Sequence, residues 1–194
     1  MYQLGFAVYI TLGFTKNMDD RYRAALRRNL DELQRAKMAH ICMEGFETHW
    51  PPTHLHAKLF YNALFNDYLT KCMKAFELGR QAASIWYLNR RDPEALLDAL
   101  GRDPEKLSSL QSVAKKLKLL RDKAHLHIDE QGVLDTPSVW RDASIDGTEL
   151  SKVVDMAISA LRVLAQRNNI LVEQIPHALT RFTSARVAQH LNAL

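Results

Sequence analysis

The chain has 194 residues, 47% of them apolar and 25% charged, globular proportions for a single domain (1–194) that exclude a disordered or collagen-like chain. It holds only 7 glycines and 6 prolines, about half the usual share, which leaves room for long helices and argues against an all-β sandwich with its many turns. A formal charge of +4 permits an anionic partner without requiring one, and two cysteines, Cys42 and Cys72, are too few for a disulfide scaffold and lack zinc-ribbon spacing, as in a reduced, cytoplasmic protein.

Tyr2–Phe14 is apolar nearly all round and suits a core helix, although Val8–Thr11 would also suit a strand. The run from Leu4 to Phe14 is roughly half the length of a bilayer crossing, and no basic segment precedes it, so no membrane partner is expected. Asn17, with Asp20 three residues on, reads as the cap of the next helix. Tyr22, Leu26, Leu30 and Leu33 then recur at helical spacing towards Glu47, while Arg21, Arg23, Arg27 and Arg28 lie mostly off that stripe on a solvated face. Pro51-Pro52 stops this helix.

From His56 the pattern is helical again through Leu59, Phe60, Ala63, Leu64, Cys72, Met73 and Phe76, with Gly79 bending or interrupting it before Ala83–Leu88. Two Asp-Pro-Glu triplets, at 92–94 and 103–105, each start a helix: Asp caps, Pro takes the first helical position, and Glu opposes the positive helix end. The first helix ends near Leu100-Gly101 and the second runs from about 104 to 128. Glu130–Asp146 reads as one long loop with Trp140 as its anchor. Leu150, Val153, Val154, Ala157, Ile158, Leu161 and Ala165 fit a helix template, and a last helix from Pro176 carries Leu179, Phe182 and Ala185. Such helices with short connections predict an all-α antiparallel bundle. No Gly-rich phosphate loop follows a strand-like segment, which argues against nucleotide-dependent α/β enzymes.

Chemistry concentrates in the helix over 104–128. Leu110, Val113, Leu117, Leu120 and Ala124 form an inward seam whose next position is His127. With Leu117 at 0° and a step of about 100° per residue, Arg121 falls at about 40° and His127 at about 280°, flanking the seam with the small Ala124 between them. One reading makes them a satisfied interface pair that sets helix specificity. The other has Arg121 holding a phosphate through its planar fork while His127 moves a proton.

Leu120-Arg121-Asp122-Lys123-Ala124-His125-Leu126-His127-Ile128-Asp129 resembles the signature of HEPN domains, the higher-eukaryote and prokaryote nucleotide-binding helical bundles: an arginine, a polar follower, and four to six residues before a histidine. It is most similar to the abortive-infection U-type branch. Gln3-Leu4-Gly5, Ala83-Ser84-Ile85, and Trp140 followed by Thr148-Glu149-Leu150 resemble other parts of that branch in order. The resemblance implies a HEPN-like bundle with additional helices and a metal-independent endoribonuclease of a toxin–antitoxin or phage-defence system. It also implies RNA as substrate, a homodimer with paired motifs in one cleft, and an antitoxin protein as partner. The site would then comprise Arg121, His127 and Asp122 as catalytic residues, with Lys118, Lys123 and His125 binding RNA. Leu126 departs from the usual alanine before the histidine. His125 is too near Arg121 for the motif yet only about 40° away on the wheel, so either histidine could carry the proton. A solvated face accounts for Lys115, Lys116, Lys118 and Lys123 equally well.

Two other classes compete. A non-catalytic helical dimer, acting as an RNA-binding or protein-interaction module, would use Arg121 and His127 only to set its interface. A metal site could draw on His54, His56, His125, His127 and Asp122. However, no Glu-x-x-His occurs, no inward carboxylate pair is evident on the other helices, and a helical His-x-His points its rings about 200° apart. No metal and no cofactor are expected. Trp86-Tyr87, Phe60 and Phe76 read as core rather than a base-stacking platform.

Overall fold

The computed structural model describes residues 19–47, 54–125, 136–172 and 177–193. The expected Tyr2–Phe14 element, the Asn17 cap and the Pro51-Pro52 break lie outside the described residues. Among those residues all regular structure is helical, so the fold is an all-α bundle. Helix α1 (Asp20–Glu47) is followed by α2 (Leu55–Ala75), α3 (Ile85–Arg91), α4 (Pro93–Ala99) and α5 (Pro104–Leu120). A π-helical turn (Arg121–His125) continues α5, and α6 (Thr136–Ala143), α7 (Gly147–Arg167) and α8 (His177–Asn192) complete the order.

The 28 residues of α1 make it about 42 Å long, the central rod of the bundle. It packs against α2, α3, α7 and α8; α4 packs on α7, and α5 contacts α2, α6 and α7. Asp19 caps α1, its Oδ1 accepting the Arg21 N–H at 3.0 Å. The stripe read from sequence is the buried face: Tyr22, Leu26, Leu30 and Leu33 are all in the core. Leu110, Val113, Leu117 and Leu120 of α5 meet the apolar stripe of α7, from Leu150 to Ala165, in the same core. Each fully buried Leu or Phe contributes on the order of 1.5–3 kcal/mol through the area it removes from water.

Both Asp-Pro-Glu triplets act as read. Asp92 accepts from the Ala95 N–H at 3.1 Å, and Asp103 from Glu105 at 2.9 Å and Lys106 at 3.4 Å. Gly101 ends α4 with φ +79°, a left-handed conformation that suits glycine.

Three local expectations need correction. The stretch read as one loop over 130–146 contains α6: Val139 and Ala143 share its buried face, and the half-buried Trp140 ring lies 5.9 Å from that of Phe65. An eight-residue helix with Pro137 in its first turn carries too few periods to stand out from a loop. Phe60, read as core, is 54% exposed: the first half of α2 turns Ala57 inward, against Phe46 and Ala188, with Tyr61 and Leu64 partly buried beside it, and leaves Phe60 outside that contact. The helix expected to run unbroken to Ile128 instead widens into the π turn at Arg121, and residues 126–128 lie outside the described residues.

Candidate functional site

Arg121 stands where α5 gives way to the π turn. A change from i→i+4 to i→i+5 bonding inserts extra chain into each turn, so wheel angles past Arg121 no longer follow the 100° step. Such widened turns occur often at functional positions. The Arg121 side chain is only 20% exposed. Its Nε and Nη2 donate to Asp122 Oδ1 at 2.8 and 2.5 Å, and its Nη1 pairs with the carboxylate of Glu77. Lys118 donates to the other Asp122 oxygen. Burial pushes the Asp122 carboxyl up, but the bonds from Lys118 and Arg121, with their charges, outweigh it and hold the group below the usual carboxylate range.

A guanidinium has five N–H donors. Three are directed at Asp122 and Glu77, which fixes the plane of the group; among the described residues no acceptor is seen for the other two. The group lines a cleft of about 410 Å³ between α1, the end of α2 and the segment leading to α3; Arg28, Asn29, Glu32, Lys74 and Glu77 form much of its wall. Glu32 is 16% exposed; one of its oxygens is buried without a hydrogen bond, and Lys71 and Lys74 stand 3.8 and 3.9 Å away. Two carboxylates thus line this cleft, Glu32 from α1 and Glu77 from the non-helical chain after α2, and no sequence spacing reveals that they share it.

The segment over 76–84 is held by side chains bonding to backbone. Asn29, 2% exposed on α1, donates its amide to Ala25 O and Ala83 O, each at 2.7 Å. Ser84 Oγ donates to Glu77 O at 2.6 Å, and Trp86 Nε1 donates to Phe76 O at 3.1 Å. These bonds fix the backbone that carries Glu77 to Arg121. The Ser84 singled out by resemblance is buried in this role, and Trp86 is core as read.

No family model matches the chain, and no curated protein or solved structure proves similar to it.

Of the residues read from sequence, Arg121, Asp122 and Lys118 come together. Lys116 pairs with Glu149 at 2.6 Å, away from a free solvated face. Lys123 is half-buried in the turn, and His125 closes the turn as a backbone position. His127 lies outside the described residues. Sequence reading missed Glu77, Glu32, Asn29 and Arg28. Only Asn29 and Arg28 left a local signal: a polar residue inside the apolar stripe of α1, and an arginine two turns on from Arg21 along the same face, with Ala24 and Ala25 between them.

Proposed function

We propose that this protein is a metal-independent endoribonuclease of HEPN type, cutting RNA as a homodimer in a cytoplasmic toxin–antitoxin or phage-defence setting. The observation that carries the reading is Arg121 itself, a mostly buried guanidinium held in one plane by Asp122 and Glu77 and lining a cleft. It opens a motif in which His127 follows after five residues. In RNA the 2′-hydroxyl attacks the adjacent phosphorus, the bond to the 5′-oxygen breaks, one proton leaves the nucleophile and one reaches the leaving oxygen. A histidine suits both proton transfers near neutral pH, and Arg121 suits the charge that gathers on the phosphoryl oxygens. Asp122 and Glu77 are positioning residues that aim the guanidinium.

Purified protein incubated with cellular RNA should cut it with or without chelator and leave 2′,3′-cyclic phosphate and 5′-hydroxyl ends. Arg121→Ala and His127→Ala should each abolish cutting, and Arg121→Lys should rescue little, because an ammonium lacks the two-point fork. Comparing His125→Ala with His127→Ala decides which histidine works. A requirement for magnesium, or 5′-phosphate ends, would overturn the mechanism. The double carboxylate grip on Arg121 also favours a second reading, in which the arginine only ties α5 to the end of α2 within a non-catalytic module. That reading requires no RNA cutting under any condition and an Arg121→Ala protein that loses stability alone.

A further inference from the structure

The Arg121 cleft does not end at Arg28. A second concavity of about 420 Å³, lined by Arg21, Arg28, Gln81, Ala83, Tyr87 and Arg91, shares Arg28, Gln81 and Ala83 with the first. The two form one trough along a single face of α1, where Arg21, Ala25, Arg28 and Glu32 succeed one another at steps of three and four. From Arg21 to Glu32 the helix rises about 16 Å. The floor is alanine on both sides, Ala24 and Ala25 from α1 and Ala82 and Ala83 opposite, so the long cationic arms stand at the edges of a hollow.

Charge in this trough is one-sided. Among the residues that line it, five cations, Arg21, Arg28, Lys74, Arg91 and Arg121, stand against two acids, Glu32 and Glu77. Arg91 lies 5.6 Å over the Tyr87 ring and 3.4 Å from Asp19, and Arg121 is held as described. Among the described residues Arg21 and Arg28 have no ion-pair partner. A concave, cationic surface concentrates anions more strongly than the flat solvated face the sequence suggested. Its cations are mainly guanidinium forks, which match phosphate in two points and stack on planar bases, as acidic peptides do not require. Volumes in the small-molecule range admit a few units of one strand but not the rod of a duplex.

The geometry points to a groove for single-stranded nucleic acid, running from Arg121 over Arg28 to Arg21 and Arg91, in which Arg21 and Arg28 hold phosphates that flank the bond presented at Arg121. Placing a cutting site at the Arg121 end rests on the ribonuclease reading; binding along the groove does not.

The test uses the full chain and a fluorescein-labelled 12-mer of 2′-O-methyl ribonucleotides, which lacks the attacking hydroxyl and stays intact. Fluorescence anisotropy is read over a salt series for the wild type, R21A/R28A, and R23A/R35A, a charge-matched control on α1 whose residues line neither cleft. Each single-strand phosphate contact adds about 0.7 to the salt slope, so R21A/R28A should lower the slope by about 1.4. The loss of affinity between 50 and 200 mM salt should then be about sevenfold smaller than in the wild type. The control should keep the wild-type slope. No binding by the wild type, or a slope unchanged in R21A/R28A relative to the control, overturns the groove. So does a poly-glutamate peptide that competes as well as an unlabelled oligonucleotide of equal charge. Groove binding without any RNA cutting removes the ribonuclease reading and keeps the groove; cutting with an unchanged R21A/R28A slope does the reverse.

Discussion

Truncating Asn29 tests whether the cleft wall is held from α1. Asn29→Ala removes both amide donations, to Ala25 O and to Ala83 O. Ala25 O also belongs to the helical ladder of α1, so that bond is the cheaper loss. Ala83 O has a different position, in a non-helical segment before α3. A made hydrogen bond is worth about 1 kcal/mol net, and an acceptor left without a partner costs up to about 3. Because the cleft lets water reach part of this wall, a value of about 2 kcal/mol is expected, which lowers Tm by about 4–8 °C in a chain of this size. Asn29→Asp should cost more, since a carboxylate would face two carbonyl oxygens with no proton to give. Thermal unfolding by circular dichroism gives the magnitude, and hydrogen exchange shows where it falls: protection over 77–84 should drop while that of α5 persists. Ser84→Ala loosens the same segment through Glu77 O, so the double variant should be non-additive with Asn29→Ala. A variant within ~0.5 kcal/mol of the wild type, with unchanged exchange over 77–84, would refute the argument.

Gly45→Ala should destabilise the packing of α8 on α1: a Cβ there would lie 2.7 Å from Ser184 Cβ and 2.8 Å from Arg181 O. Overpacking of about 1–3 kcal/mol exceeds the ~1 kcal/mol gained in helix propensity, so a higher Tm in this variant would contradict the close approach. Burial pushes the Cys72 thiol up despite an opposing bond with Tyr68; it should resist alkylation at pH 8 until the protein unfolds, which mass spectrometry of the labelled chain can follow. Burial also holds His40 below its usual pKa, against the pull of Glu44 at 3.5 Å. The unfolded chain therefore binds this proton more readily, so the stability linked to His40 is present above about pH 6.5 and is lost as pH falls through the lower folded value. His40→Gln should flatten the Tm profile between pH 7 and 5; an equally steep profile would rule His40 out as the cause.

Local patterns in the sequence determine much of this molecule. The starts of α4 and α5 were legible because a cap acts within three residues: Asp92 and Asp103 need only their own next turn to be satisfied. The inward faces of α5 and α7 were legible because burial on one side imposes a 3.6-residue period on the sequence. Arg121 and Asp122 stood out for the same local reason, adjacent residues at the border of a seam. Phe60 shows the limit: α2 carries apolar residues at helical spacing along its whole length, but how far the bundle covers it depends on α8 and on where α1 ends. The cleft was beyond sequence altogether. That Glu77 is the carboxylate facing Arg121, that Asn29 bonds across 54 residues to Ala83, and that Arg21 and Arg28 border a hollow are outcomes of how helices dock. A periodic pattern says which face is buried; only the packed tertiary structure decides which neighbour that face meets.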